Sequence, residues 1–257
     1  MLLTADYHTH TPYSHGKNTV DENVARAKEV GLQKVAITDH GFSHVFFGLR
    51  RKELENYKAE CKAAALKYGI DVLVGIESNI LGESGKTDLT EKDYEDFDVF
   101  LCGNHVFVNY ESQAAWRRFF WFGNLPVSCG WKGSEALKKA NTIAYLNAIK
   151  NNPIDILTHL GYLAPCDIIE VAKCATDYGT YIELNSKKTH FTDEELDKIV
   201  QLGARFVINS DAHDASRVGD TALVEEQLKR VRVPLDRIDN IDGRFPTFRL
   251  AELKKHL

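Results

Sequence analysis

Short apolar runs rich in β-branched and aromatic residues recur along the chain, and they alternate with segments whose apolar residues are three or four positions apart. The runs are typical of buried strands, and the spacing is typical of helices with one buried face. The seven predicted strands cover residues 2–8, 34–40, 71–80, 98–107, 154–160, 180–186 and 205–213. Strands that alternate with helices indicate parallel βα units, and this many units favour a barrel.

Helix-boundary signals agree with this alternation. Helical spacing covers residues 20–27, 54–64, 137–144 and 168–175. Thr19 with Glu22, and Thr192 with Glu195, each form a predicted capping box, in which two side chains satisfy backbone amides at a helix start. Glycines at positions 31, 69, 179 and 203 follow predicted helix ends, where a left-handed backbone favours glycine.

Two segments fit neither pattern. Residues 82–96 are polar and contain glycine, so we expect a hairpin or loop there. Residues 108–133 have weak periodicity, so we expect irregular structure, although the segment contains Trp116, Phe119, Phe120, Trp121 and Phe122. These aromatic side chains indicate either a lid over a substrate, with Arg117 and Arg118 able to hold a nucleotide, or an apolar patch on an outer wall or subunit contact.

Composition narrows the class of protein. The 257 residues carry a net charge of -5, which argues against the basic surface of a protein that binds long nucleic acids. The chain contains no apolar run of the ~20 residues that span a bilayer and no recognisable leader, so we expect a cytoplasmic protein. The five cysteines include no C-x-x-C pair and predict neither a disulfide framework nor a zinc ribbon. Because no linker or repeat interrupts residues 1–257, we expect one domain.

Side chains that bind metals lie at or just past the C-terminal ends of six of the seven predicted strands. They are His8, His10, His40, Glu77, His105, His159, Asp211 and His213, and His15 follows closely after the first strand. The carboxyl ends of parallel strands meet on one face of a barrel, so these residues should converge there. Of the remaining histidines, His256 lies in a charged tail, and we expect His44 and His190 to lie outside the site rather than at its rim.

An imidazole-rich set with few carboxylates suits zinc, iron or manganese rather than magnesium or calcium. The number of candidate ligands exceeds the need of one ion, so two or three ions are expected, with Glu77 able to bridge a pair. Clustered ions favour the hydrolysis of phosphate esters, because they activate water and stabilise charge on phosphate oxygens. The sequence therefore predicts metal-assisted phosphoester hydrolysis.

The motifs DYHTHTPYSHG, AITDH, GIESN, LTHLG and NSDAH, with the histidine of GNHVF, occur in series between residues 6 and 213. This series resembles the PHP (polymerase and histidinol phosphatase) superfamily, especially its trinuclear YcdX-like and histidinol-phosphatase branch. An H-x-H pair alone is a weak signal, whereas the complete ordered series is specific.

The resemblance implies an α/β fold, a distorted (β/α)7 TIM-like barrel with its metal site at the C-terminal ends of the strands. It implies nine metal ligands, all present: His8, His10, His15, His40, Glu77, His105, His159, Asp211 and His213. By the family pattern, one ion is held by His8, His10, Glu77 and Asp211, a second by Glu77, His105 and His159, and a third by His15, His40 and His213. The implied reaction is attack on phosphorus by a metal-bridging hydroxide.

Other residues are candidates for substrate binding and proton transfer. A phosphoester pocket usually adds a cation to its metals, and Lys187, Lys188 and Arg217 follow predicted strands on the ligand face, as does Asn185. Asp39 and Asp211 are candidate catalytic proton relays beside the bridging Glu77.

Several functions are consistent with this site. A phosphatase of a small phosphorylated metabolite leads, with histidinol phosphate as first candidate and hence a role in histidine biosynthesis. A phosphodiesterase or nuclease-like enzyme, and a PHP-type protein-tyrosine phosphatase, are the alternatives. A non-catalytic metal-binding module is disfavoured because every ligand position is filled. The oligomeric state is left open by the sequence.

Overall fold

Seven parallel strands form the centre of the protein in the computed structural model, which describes residues 1–256. They are β1 (Ala5–Asp6), β2 (Lys34–Ile37), β3 (Asp71–Asn79), β4 (Val99–Gly103), β5 (Ile156–Leu157), β6 (Tyr181–Asn185) and β7 (Phe206–Asn209). Each strand pairs with the next in chain order. A parallel bridge between Thr9 and Ala212 joins the two ends of the sheet, where His10 N donates to Ala212 O at 2.8 Å. The result is a nearly closed, distorted TIM-like barrel, as predicted.

The helices lie between the strands as the sequence indicates. They are α1 (Val20–Glu29), α2 (Leu54–Tyr68), α3 (Gln113–Ala115), α4 (Leu125–Ser128), α5 (Glu135–Asn151), α6 (Ile168–Tyr178), α7 (Asp193–Gln201), α8 (Ala222–Leu228) and α9 (Arg249–Lys254). Both predicted capping boxes are present, at the starts of α1 and α7. Gly69 and Gly179 end α2 and α6 in the left-handed conformation. Within residues 1–256, no helix combines the length and apolar character that crossing a membrane requires.

Alternation along the strands separates two apolar layers. One set of side chains packs inside the barrel: Ala5, Tyr7, Ala36, Val99, Leu101, Ile156, Tyr181, Val207 and Phe248. The intervening residues, such as Val35, Phe100 and Ile182, belong to the larger core beneath the helices. Because side chains alternate along a strand, Glu77 shares a face with Leu73, and Glu183 shares one with Tyr181. The barrel interior therefore changes from apolar to charged toward the carboxyl ends of its strands.

Several strands end earlier than predicted, because side chains take over the hydrogen bonds of the backbone. His159 lies two residues beyond β5, and its N–H donates to Glu183 Oε2 at 2.8 Å. Residues 82–96 include the predicted turn, closed by an antiparallel bridge between Ile80 and Thr87. They also contain a 3₁₀ helix over Glu91–Asp96, which the sequence prediction omitted.

The prediction of irregular structure over residues 108–133 is wrong for its middle part. A π-helix over Trp116–Asn124 follows α3 directly and continues into α4 after Gly123, whose φ of -129° and ψ of -108° break the helix. A π-helix closes hydrogen bonds between residues five apart, so its apolar positions do not repeat every 3.6 residues. This explains why a search for α-helical periodicity misses it.

Candidate metal centre

The segment after β1 carries His10 and His15 and folds back on itself, so that both rings lie on the same side. Gly16 N and Ser14 N donate to Thr11 O at 2.9 and 3.0 Å and close the turn. A Cβ at Gly16 would lie 2.3 Å from His10 O, so this close approach requires glycine. The His15 ring stacks on the His40 ring with 4.8 Å between centroids. The local fold of this short segment thus brings His8, His10 and His15 to one face.

Glu77 in β3 lies at the centre of the histidines. Its carboxylate oxygens are 2.6 Å from His159 Nε2, 2.8 Å from His40 Nδ1, 3.4 Å from His8 Nε2, 3.5 Å from His105 Nε2 and 3.6 Å from His10 Nε2. The Glu77 side chain is almost completely buried. A single carboxylate in such a position can bridge cations that different histidines bind.

The potential ligand atoms form three overlapping groups, within each of which they lie no more than 4.8 Å apart. The groups are His8, His10 and Asp211; His40, Glu77 and His105; and His10, His40 and His213. These groups overlap the family-based sets only in part, because Glu77 belongs to one group and His15 and His159 belong to none. His10 and His40 each belong to two groups, and His15 packs at the exposed side of the third, with its ring 4.3 Å from that of His213.

A second layer of polar side chains fixes the ligands. Glu183 Oε1 accepts from His8 Nδ1 at 2.7 Å, which directs His8 Nε2 toward Glu77. Asn209 and Asn185 donate to the two Glu183 oxygens at 3.0 and 2.9 Å. Carboxylates that hold the far nitrogen of a ligating imidazole orient the ring and raise its basicity. Burial lowers the pKa of His8, but Glu183 and the neighbouring carboxylates outweigh burial and raise it well above its usual value.

His105 has an equivalent support. Its Nδ1 lies 2.7 Å from Asn79 Oδ1, and Asn79 Nδ2 donates to Asp88 Oδ2 at 2.7 Å. Asp88 also accepts from the Asn79 backbone N–H at 3.1 Å. This chain of hydrogen bonds fixes the His105 ring with its Nε2 toward Glu77.

The protonation states suit cation binding. Burial lowers the pKa of His10 to about 3 and that of His15 to about 4, and it holds the pKa of His40 well below its usual value. These imidazoles are neutral near pH 7, which is the form that binds metals. Burial raises the pKa of Glu77, but the surrounding histidines outweigh burial and hold it well below its usual range. The pKa of Asp211 is also held low, chiefly by His8 against burial.

The backbone is strained at two of the predicted ligands. His159 has a φ of 31° and Asp211 a φ of 48°, in the region that non-glycine residues rarely adopt. Strain of this kind costs on the order of 1–3 kcal/mol and is concentrated at functional sites. It supports a functional rather than a purely structural role for this face.

The arrangement of atoms fits bound metal ions. His40 Nδ1 and Glu77 Oε2 lie 2.8 Å apart, yet within residues 1–256 neither atom has a hydrogen-bond partner. His159 Nδ1 is likewise buried without a partner in this part of the chain. Leaving a buried polar atom unpaired costs about 1–3 kcal/mol. A cation between Glu77 and His40 would remove this cost, and the imidazole and carboxylate donors suit transition metals.

A cavity of about 460 Å³ opens above the cluster. Its floor includes Glu77, Asp211 and several of the histidines, and Phe47, Phe107 and Tyr162 form apolar parts of its wall. Lys187 and Lys188 line it, as predicted for a phosphate pocket. Lys187 Nζ lies 3.3 Å from Asp211 Oδ1 and 3.1 Å from His213 Nδ1.

Three predicted site residues lie in other surroundings than expected. Asp39 is fully buried and accepts from Thr11 N at 2.8 Å and Thr11 Oγ1 at 2.6 Å, so it fixes the loop after β1 rather than facing the cavity. Arg217 donates to Ser186 O at 3.0 Å and pairs with Asp220 at 2.8 Å, away from the cavity lining. Asn185 is buried beneath the site and supports Glu183.

Sequence reasoning also missed residues that belong to the cavity. His44 and His190 line it, contrary to expectation, with ring centroids 4.9 Å from His40 and 5.8 Å from His159, respectively. His256 lies in the exposed tail, as predicted. The sequence places Glu183 toward the end of a predicted strand on the ligand face but gives it no role, and the structure shows it beneath the cavity, where it supports His8.

The residues 6–187 match the PHP domain family. A protein of Caldanaerobacter subterraneus subsp. tengcongensis, named a probable phosphatase, is 30% identical over 255 residues, which cover 93% of this chain and 88% of that protein. Two solved structures have a similar fold. One is a Listeria monocytogenes protein described provisionally as a histidinol phosphatase, with a TM-score of 0.61 and 15% identity, covering 86% of this chain and 99% of that one.

The other is the histidinol phosphate phosphatase of Lactococcus lactis, solved with zinc, L-histidinol and phosphate, with a TM-score of 0.54 and 17% identity. The match covers 88% of this chain and 94% of that one. At these identities the two structures establish the fold alone. The family match extends over most of the chain and includes the predicted ligands from His8 to His159. The chain therefore belongs to the PHP domain family.

Proposed function

We propose that this PHP-family phosphatase hydrolyses a small phosphomonoester in the cavity above Glu77. The observation that carries the proposal is the convergence of imidazoles and two ionised carboxylates on one cavity floor, with Lys187 beside them. Such a floor binds cations, and the lysine adds a positive charge for a phosphate oxygen. The cavity volume of about 460 Å³ suits a small metabolite.

The nine predicted ligands would hold two to three divalent ions of zinc, iron or manganese. When bound, the ions would supply charge to stabilise phosphate oxygens and to activate water. The chain's own residues position the reaction. Glu77 lies beside histidines of all three groups and would hold cations between them. Glu183 and Asn79 orient the imidazoles behind it, and Lys187 contributes a donor beside Asp211 and His213. Preorganised charges of this kind stabilise a phosphoryl transition state without reorganisation.

The leaving-group oxygen requires a proton, and the geometry limits its source. Asp39 is held away from the cavity by Thr11 and Ser14. Asp211 faces the cavity, but its low pKa keeps it ionised, so it serves as an acceptor and cannot store the proton near neutral pH. Water in the cavity is therefore the proposed donor for a leaving group that is sufficiently acidic.

Histidinol phosphate is the first named substrate to assay, because the sequence motifs resemble those of histidinol phosphatases and the Lactococcus lactis protein of similar fold was solved with L-histidinol and phosphate. The decisive assay is a panel of phosphorylated metabolites with manganese, iron, cobalt and zinc added separately. We expect turnover of at least one monoester that depends on the added metal. The absence of metal-dependent turnover across the panel would contradict the proposal.

A second assay distinguishes monoesters from diesters. We expect p-nitrophenyl phosphate to be hydrolysed faster than bis-p-nitrophenyl phosphate. The monoester carries two negative charges on its terminal phosphate, and these complement the positive charges of Lys187 and of cations bound at the floor. A markedly faster diester would instead favour the phosphodiesterase alternative.

A further inference from the structure

The two lysines that enter the cavity after β6 have different surroundings. Asn185 Oδ1 accepts from the backbone N–H groups of both Lys187 and Lys188, at 2.9 and 3.1 Å, which fixes the turn that carries them. The Lys187 ammonium lies against Asp211 and His213 at the metal centre. The Lys188 ammonium instead lies 4.7 Å from the centroid of the Tyr162 ring. One lysine therefore faces the proposed phosphate position, and the other faces the wall.

Lys188 lacks an ion-pair partner in the part of the chain that the structure describes. Within residues 1–256 no carboxylate lies within ion-pair distance of Lys188, whereas many other lysines of the chain have one. The only carboxylates among the described residues that line the cavity are Glu77 and Asp211. Both belong to the metal centre. The part of the cavity beyond that centre thus offers a free cation and no anion.

The rest of the lining is mainly apolar and aromatic, and among the described residues it contains no carboxylate. Phe47, Val106, Phe107, Tyr162 and Leu163 line it, together with the uncharged polar side chains of Asn104 and Ser128 and the rings of His44 and His190. Such a surface contacts the carbon skeleton of a bound molecule, and none of these side chains supplies a negative charge to an ammonium group. A cation over an aromatic ring is also held in place by the ring's negative face.

We propose that Lys188 is a specificity-determining residue that binds a second anionic group, a carboxylate or a second phosphate, on the leaving group of the substrate. The same charge disfavours leaving groups that carry an amine. This inference rests on the proposed phosphomonoesterase activity and refines its substrate class. It ranks histidinol phosphate, whose leaving group contains an ammonium, below an anionic monoester of similar size.

Three aryl phosphates test the inference with a common frame. They are 4-(carboxymethyl)phenyl, 4-ethylphenyl and 4-(aminomethyl)phenyl phosphate, which place a negative, neutral or positive group at the same distance from phosphorus. For the metal-loaded protein we expect kcat/KM to fall in that order, with about a tenfold difference between the first and the last. This difference combines the attraction of Lys188 for the carboxylate with its repulsion of the ammonium, each of the size measured for a partly exposed ion pair. Equal values, or the reverse order, would overturn the inference while leaving the phosphatase activity established.

Variants assign the effect to the side chain. Lys188→Met should bring the ratio between the carboxymethyl and aminomethyl substrates close to one, and Lys188→Glu should invert it. Lys62→Met is the matched control, because it removes the same charge from the exposed face of α2 and should keep the wild-type ratio. If Lys62→Met changes the ratio as much as Lys188→Met, the preference comes from net charge, and the assignment is wrong.

Binding measurements test the anion preference of Lys188 independently of whether the protein hydrolyses the esters. The corresponding non-hydrolysable phosphonates can be titrated calorimetrically into the metal-loaded protein. The affinity order should follow the charge order even if none of the esters is turned over, in which case the proposed activity fails and the anion preference stands. Affinities that do not depend on the para group would overturn the inference, whatever the turnover.

Discussion

The floor and the wall of the cavity are built in different ways. The floor consists of side chains from strand ends, such as Glu77 and His8, which are at most 1% exposed and have hydrogen-bonded partners behind them. The wall comes from loops and from the helical segment after β4, and Phe47 and Phe107 are 43% and 40% exposed. The comparison indicates that the reaction is fixed by the barrel, whereas the choice of substrate depends on parts that can change without disturbing it.

The floor is held together by buried hydrogen bonds, whereas the wall is held together by contacts between aromatic rings. Behind the floor, Glu183 alone accepts hydrogen bonds from His8, His159, Asn185 and Asn209. The wall is joined by ring contacts, with centroids 5.4 Å apart for Phe46 and Phe107 and 5.7 Å for Phe107 and Phe120. Few buried hydrogen bonds cross this wall, so its local opening should cost less free energy than any movement of the floor.

The largest expected effect on activity follows removal of the Glu77 carboxylate. Glu77→Ala deletes the carboxylate that approaches five histidines, so both adjoining cation sites should weaken and activity should fall by several orders of magnitude. Steady-state kinetics and elemental analysis measure the two losses, against the two to three equivalents of metal proposed for the parent protein. Full metal content with near-native turnover would show that this floor is not the active site.

Removal of a supporting residue should have a smaller effect. Glu183→Gln presents an amide N–H₂ to a site where four donors now meet two carboxylate oxygens, so His8 should lose its orientation. We expect a loss of about 10- to 100-fold in activity or metal affinity. Glu170→Gln, exposed on α6, is the matched control. If the two variants had equal activity and metal affinity, the second layer would have no role in the site.

Most of the floor could be predicted because its signals are local and periodic. His40, Glu77, His105 and Asp211 follow apolar runs, and the parallel topology brings the ends of such runs together without any knowledge of side-chain contacts. The capping boxes fixed the starts of α1 and α7 in the same local way. The nearly closed barrel and the cluster of metal-type residues at one end were therefore predictable from the chain alone.

The failures concern residues whose roles depend on packing. Asp39 and Arg217 lie close in sequence to predicted ligands, but their side chains turn to Thr11 and to Ser186 instead of the cavity. His44 enters the cavity because the loop after β2 folds back on His40, which no sequence spacing reveals. The π-helix over 116–124 lacks the 3.6-residue repeat by which helices are recognised.

His15 lies between the two regions and should behave accordingly. It is exposed, its ring contacts both His40 and Phe47, and it adjoins only the third group of ligands. His15→Ala should therefore reduce activity by about tenfold, and excess metal should restore part of it, because Glu77 and its neighbours remain. A titration of activity against added metal provides the measurement. A loss as large as that of Glu77→Ala, without recovery, would place His15 with the floor.

The smallest effect is expected from the wall itself. Phe47→Leu removes a ring that lines the cavity and stacks at 4.8 Å on His15, but it removes no ligand and no hydrogen bond of the floor. If the wall contributes to substrate binding alone, KM should rise by about threefold, which corresponds to the loss of one aromatic contact, while kcat and metal content stay at parent values. Phe122→Leu is the matched control, since Phe122 is 75% exposed and lies outside the cavity lining, and His256→Ala serves the same purpose in the tail. Both should leave KM unchanged. A fall in kcat for Phe47→Leu with KM constant would mean that the wall positions the reacting groups, and the division between a catalytic floor and a selective wall would then be wrong.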